Sequence, residues 1–173
     1  GEYVSITGPS GSGKTTLLDV LSGLLRPTQG DVLINGTPMS RMNDDELAQV
    51  RGRTIGFVFQ TFNLIPRMTA LENVALPLWF QGHPPAERNE IASRVLNNVG
   101  LSDRLNHRPS ELSGGQRQRV AIARALATDP EVIVADEPTG NLDSQSGATI
   151  LNILDELHQR KGKTILMVTH ERY

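Results

Sequence analysis

The run Gly8-Pro9-Ser10-Gly11-Ser12-Gly13-Lys14-Thr15 has the spacing G-x-x-x-x-G-K-[ST], and Thr16 adds a second hydroxyl directly after it. That spacing suits the holding of phosphate. Glycines let successive backbone N–H groups turn inward around phosphate oxygens, and a helix starting near Gly13 aims its positive end at them. Lys14 then offers a point charge to the β and γ phosphates, and the Thr15 hydroxyl can ligate Mg²⁺. The blander reading, a flexible glycine turn before an ordinary helix, explains neither the full pattern nor its strand and helix flanks.

Two further stretches carry matching chemistry. Residues 132–137, Val-Ile-Val-Ala-Asp-Glu, read as an apolar strand with two acids at its carboxyl end, where ligands of open α/β sheets bind. Asp136 is expected to hold the metal through water, and Glu137 to polarise a water for in-line attack on the γ phosphate. Leu112-Ser113-Gly114-Gly115-Gln116 opens a helix bearing Arg117, Arg119 and Arg124. Positive charges near a helix N-terminus oppose its dipole, and an anion would resolve the conflict, so Ser113, Gly114, Gly115 and Gln116 form a candidate second phosphate site. A simple capping serine is the alternative there.

The elements that must position these residues follow from periodicity and punctuation. Residues 3–7 read as a strand running into the glycine cluster, and 14–25 as a helix with Leu17, Leu18, Leu21, Leu24 and Leu25 on one face, ended by Pro27 and Gly30. Residues 31–34 form a strand, and Asn35-Gly36 is the dipeptide that best tolerates a tight hairpin turn. A short polar helix is expected at 44–52 and a buried strand at 54–59, ending at Gln60. Residues 61–111 change character: a helix around 69–80, a break at Gly82-His83-Pro84-Pro85, and a helix over 86–99 with the stripe Ile91, Val95, Leu96 and Val99, stopped by Gly100. The rhythm then returns with a helix at 114–127, a strand at 132–135, a helix at 144–160 and a strand at 164–169. Strands with apolar runs separated by helices predict an α/β fold of the P-loop class: a mainly parallel sheet flanked by helices, an inserted helical subdomain and a small antiparallel β element.

Composition narrows the function classes. With 173 residues and a net charge of −2, the chain is one domain or a domain with a small satellite, and direct nucleic-acid binding is not expected. The absence of cysteine excludes disulfides and thiolate metal sites. No apolar run approaches the roughly 18–20 residues that span a bilayer, and residues 1–7 resemble no targeting peptide.

Taken together, these motifs resemble the nucleotide-binding domains of ABC transporters, over essentially the whole chain. The Walker A sequence GPSGSGKTT, a Q-loop Gln60, the signature LSGGQ at 112–116, the Walker B stretch VIVADE, a D-loop Asn141-Leu142-Asp143 and a switch His170 stand in that family's order. FNLIPRMTALENVALPL after Gln60 and HRPSELSGGQRQRVAIARAL before Walker B are similar to the branch with lipoprotein-release and macrolide-efflux ATPases. The resemblance implies an ATPase using ATP and Mg²⁺ that powers transport from the cytoplasmic face of the membrane through a permease partner. It implies a second copy of the chain as well, the two sandwiching ATP head to tail so that Ser113 and Gly114 of one cap the γ phosphate held by Lys14 of the other. Gln60 is then expected on the Mg²⁺ and the attacking water, His170 on the γ phosphate, and Asp143 in communication across the interface.

The same resemblance divides the chain into a RecA-like core, 1–60 and 112–173, and a helical subdomain at about 61–111. It also puts the adenine-stacking aromatic before Gly1 and further strands and helices after His170, so a domain cut at both ends is expected. Thr15-Thr16 stands where the family more often has serine then threonine, which keeps the metal-binding hydroxyl. A nucleotide switch acting on DNA or ribosomes is the competing class, but the long coiled coil or paired domains of such relatives are missing. A small-molecule kinase is disfavoured by the signature motif. Of the apolar residues at 62–80, Leu71, Val74 and Leu78 are expected in the core, and Phe62, Leu64 and Ile65 in a groove for a permease helix.

Overall fold

The computed structural model describes residues 1–170. Along the chain these form β1 (Tyr3–Thr7), α1 (Lys14–Leu21), β2 (Leu33–Ile34), β3 (Thr37–Pro38), α2 (Asp44–Thr54), β4 (Ile55–Val58), α3 (Ala70–Phe80), α4 (Pro85–Asn98), α5 (Gly114–Leu126), β5 (Val132–Asp136), α6 (Ser144–Lys161) and β6 (Thr164–Thr169). Four strands make one sheet in the order β1-β6-β5-β4, every neighbouring pair parallel. The small β2–β3 pair is antiparallel, and its turn places Asn35 at φ 50° and Gly36 at φ 77°, the positive angles that this dipeptide tolerates.

Alternation along β5 and β6 builds two apolar layers. Ile133 and Ala135, with Ile165 and Met167, face the large core shared with α3, α4, α5 and α6. Val134 and Val168 face the other way, onto Leu18 of α1, with Val132 and Leu166 packed around them. A strand buried on both faces reads as a continuous apolar run, and 132–135 and 165–168 do so. Residues of the helical segment, among them Val74, Leu78 and Leu96, belong to the same core as Ile150 and Ile165. Leu71, as expected, packs at that core's edge.

Helix α1 is shorter than its leucine pattern predicts. The Ser22 hydroxyl donates to Leu18 O at 2.7 Å, Gly23 takes φ 73°, and the amides of Leu24 and Leu25 both return to Asp19 O, so the helix ends at Leu21. Leu17, Leu24 and Leu25 are 44%, 46% and 48% exposed, leaving Leu18 as the buried contact. The strand expected over 31–34 pairs only at Leu33–Ile34, and Thr54 closes α2 instead of opening β4. By contrast, α4 ends as its stripe requires, with Gly100 at φ 71° and the Leu101 amide bonded to Leu96 O at 2.9 Å. No helix among the described residues is long and apolar enough to cross a membrane.

Register fixes where the ends of the strands meet. Asp136 lies opposite Val168, and Thr7 opposite Thr169, so the carboxyl ends of β1, β5 and β6 are level. The residues that follow each strand, Gly8, Glu137 and His170, therefore emerge along one edge of the sheet.

Candidate nucleotide site

The glycine run forms the link between β1 and α1. Gly11 and Gly13 take φ 77° and 88°, and a Cβ at either would meet nothing within 4 Å, so backbone angle and not space demands glycine there. Gly13 is the N-cap of α1 and supplies no side-chain cap, which leaves the first amides of the helix directed at the loop's concavity. Lys14 is only 8% exposed, and its Nζ spans the loop, donating to Gly8 O and Pro9 O at 2.9 Å each. Ser12 N closes the turn onto Pro9 O at 3.3 Å.

The acids of β5 arrive at the same place. The Thr15 hydroxyl donates to Asp136 Oδ2 at 3.1 Å, joining the two expected metal ligands. Both offer hard oxygen donors, and no group of three or more His, Cys, Asp or Glu among the described residues could form an all-protein cage. This donor set fits Mg²⁺, which commonly takes one or two protein oxygens and completes its shell with water and phosphate. Glu137 holds φ 45°, its amide bonded to Val168 O at 2.9 Å and its carbonyl accepting from Gly140 N at 3.0 Å. Its carboxylate pairs with His170 Nε2. A cleft of about 250 Å³ results, lined by Ser10, Gly11, Gly13, Lys14, Thr15, Thr16, Glu137 and His170.

Gln60 does not line that cleft but lies beside it. A Cβ on Gly140 would stand 2.8 Å from Gln60 Nε2 and 3.4 Å from Glu137 Oε2, so these two side chains flank one glycine. Asn141 Nδ2 donates to Gln60 O at 3.0 Å. After Gln60 the chain passes through two consecutive positive φ angles, Phe62 at 65° and Asn63 at 48°, a costly pair for residues other than glycine. Arg124 accounts for them: its guanidinium donates to Phe62 O at 3.0 Å and also to Asn63 O. Burial pushes the Arg124 pKa down from its usual value.

Each of the three arginines of α5 has a contact within the chain, although Arg117 Nε is buried with no hydrogen-bond partner among the described residues. Arg124 lies in the last turn, where the helix dipole favours a cation. Arg119 donates to Val99 O and Gly100 O, carbonyls at the end of α4, and Arg117 stacks over the Phe62 ring at 5.3 Å. Phe62 and Leu64 are correspondingly half-buried, Leu64 against the main core, whereas Ile65 is 37% exposed. Asn73, which periodicity does not distinguish, is fully buried and pins the loop before α3: its Oδ1 accepts from Ile65 N at 2.8 Å and its Nδ2 faces the carbonyls of Ile65, Met68 and Thr69.

The signature residues stand apart from the cleft, and none of Ser113, Gly114, Gly115 or Gln116 lines it. Ser113 caps α5 in a reciprocal box, its Oγ accepting from Gln116 N at 3.2 Å while Gln116 Oε1 accepts from Ser113 N at 2.9 Å. Gly115 packs so closely on α6 that a Cβ would meet Ser146 Oγ at 2.8 Å. Asp143 caps α6, accepting from the amide and hydroxyl of Ser146 at 2.9 and 2.7 Å, and these bonds, the hydroxyl's first, lower its carboxyl pKa.

Known proteins share the sequence and fold of this chain. A family model described as ABC transporter matches residues 1–140. An ABC transporter ATP-binding protein of Thermotoga maritima is 62% identical over 98% of this chain and 72% of its own length. The macrolide export ATP-binding/permease protein MacB of Brucella melitensis is 54% identical over 99% of the chain, which corresponds to 26% of that larger protein. Among solved structures, a dimeric post-hydrolysis state of the ATP-binding cassette MJ0796 bound to ADP and Pi superposes with a TM-score of 0.89 at 50% identity, covering 98% of this chain and 75% of that one. On the family match and these identities, the chain belongs to the ABC transporter family and is one of its ATP-binding, ATP-hydrolysing subunits, with the P-loop NTPase fold.

Proposed function

We propose that the chain hydrolyses Mg-ATP as a head-to-tail pair, each cleft completed by the signature residues of a second copy, and that it drives a permease from the cytoplasmic face of the membrane. One observation carries this reading: Lys14, Thr15, Glu137 and His170 share a cleft that Ser113, Gly114, Gly115 and Gln116 of the same chain do not reach. A lone chain therefore supplies one half of each site, and the dimeric state of the similar cassette MJ0796 supports the pairing. The permease half is supported by the Brucella relative, in which an ATP-binding part and a permease share one chain.

Within each site the backbone amides of Gly8 and of residues 10–13, with Pro9 shaping the turn and Thr16 at the rim, hold the phosphates, and Lys14 neutralises charge between β and γ. Thr15 and Asp136, together with Gln60, would hold Mg²⁺, and the ion would withdraw charge from the phosphate oxygens when bound. Glu137 orients and deprotonates the attacking water, and His170 keeps Glu137 aimed and grips the γ phosphate. Asp143, at the start of α6 beside the signature glycines, links the two halves. Residues 1–60 and 112–173 act as the nucleotide-binding core, and about 61–111 as the helical part that faces the permease.

The test is to mix Lys14→Ala chains with Ser113→Arg chains. Neither alone should hydrolyse ATP, while their mixture should recover one competent site per mixed pair. Mixed pairs that form but stay inactive would show that the signature does not act across copies.

A further inference from the structure

We propose that Gln118 is a positioning residue for hydrolysis, whose single amide group sets the backbone beside Gln60 and beside Glu137 at the same time. It lies on α5, 0% exposed, with Nε2 2.7 Å from Pro138 O and 3.4 Å from Phe59 O. Phe59 immediately precedes Gln60 and Pro138 immediately follows Glu137. Both neighbours are carbonyls, so the amino face of the amide must point at them, and only a side chain with two N–H groups can serve both. Gln118 Oε1 is buried with no hydrogen-bond partner among the described residues. A purely space-filling role would be met by leucine without burying a partnerless oxygen, so the side chain is explained by what its nitrogen holds.

The consequence lies at Gly140, where a Cβ would meet both the Gln60 amide, at 2.8 Å, and the Glu137 carboxylate, at 3.4 Å. Their separation depends on how the two loops are spaced, and Gln118 ties those loops together. Arg124 and Asn141 secure the same stretch further on, through Phe62 O and Gln60 O. The helix that begins with the signature residues thereby reaches the hydrolytic groups of its own chain, four residues after Gly114. This inference rests on the proposed roles of Gln60 and Glu137.

The experiment compares Gln118→Leu, Gln118→Glu and Glu137→Gln in the full chain, reading ATP affinity, thermal stability, and kcat and KM for ATP. Gln118→Leu should lower kcat by about 10- to 100-fold through misplacement, with KM and ATP affinity within about threefold of the parent. Gln118→Glu adds a readout that packing does not move. An ionised carboxylate cannot donate to Pro138 O, while the protonated acid can, so its kcat relative to the parent should rise as pH falls from about 8 to about 6. A normal kcat for Gln118→Leu beside an inactive Glu137→Gln would overturn the inference and leave the proposed function standing. Equal loss of affinity, stability and kcat in both Gln118 variants, with a flat pH ratio, would overturn it too and return the residue to the core. Normal hydrolysis by Glu137→Gln would instead remove the reading on which the inference rests.

Discussion

Thr15 Oγ1 and Asp136 Oδ2 lie 3.1 Å apart although 121 residues separate them in the chain. The bond ties the first turn of α1 to the end of β5 and brings a hydroxyl and a carboxylate to one point at the mouth of the cleft. Replacing either, as Thr15→Val or Asp136→Asn, should raise the Mg²⁺ concentration needed for half-maximal hydrolysis by about 10- to 100-fold. A Mg²⁺ titration of ATPase rate checks this. An unchanged midpoint would mean that the pair only fastens α1 to the sheet.

Lys14 is buried at the start of α1 and directs its ammonium donors to Gly8 O and Pro9 O of the loop. A charge-assisted bond to phosphate is worth about 1.5–3 kcal/mol, so Lys14→Ala should weaken ATP binding by about 10- to 100-fold. Titration with a fluorescent ATP analogue reads the change directly, and equal affinity in the variant would exclude the glycine run as the phosphate cradle.

Glu137 stands at φ 45° with its backbone fixed on both sides, so Glu137→Gln should leave the local geometry in place while removing the base. Binding of ATP should persist and hydrolysis should drop by about 10²-fold or more, the usual cost of a lost general base. With ATP bound but not consumed, pairs should accumulate. Sedimentation that found only single chains at saturating ATP would contradict the head-to-tail arrangement.

Asp143 offers a stability test that needs no nucleotide. Its carboxyl is held below the ordinary carboxylate range by the Ser146 hydroxyl and amide, so the ionised cap stabilises the fold above that range and the contribution is lost as pH falls through the lowered value. Asp143→Ala should therefore melt earlier than the parent near neutral pH, and the gap should narrow in acid. Asp143→Asn, whose side chain can still cap, should show a smaller deficit with little pH dependence. A gap that stayed constant down to acid pH would separate the carboxylate from the stability of α6.

The sequence alone determined the parts of the site that are local. The turn over residues 8–15 needs positive φ at glycine between a strand and a helix, and all of that is written within a dozen residues; the same holds for the Asn35-Gly36 hairpin and the Ser113 box. Apolar runs at 132–135 and 164–169 likewise announced strands buried on both faces. Tertiary structure decided which of these pieces meet. Strand register made the carboxyl ends of β1, β5 and β6 level, and only then did Thr15, Glu137 and His170 share a cleft. Periodicity names the apolar face of a helix but not where its neighbour stops, which is why Leu24 and Leu25 continue the leucine pattern yet lie exposed beyond the end of α1. Nor does it name the acceptor of a long polar side chain: Gln118, Arg119 and Arg124 point to three different sides of α5, and only packing brought the carbonyls of Pro138, Gly100 and Phe62 within their reach.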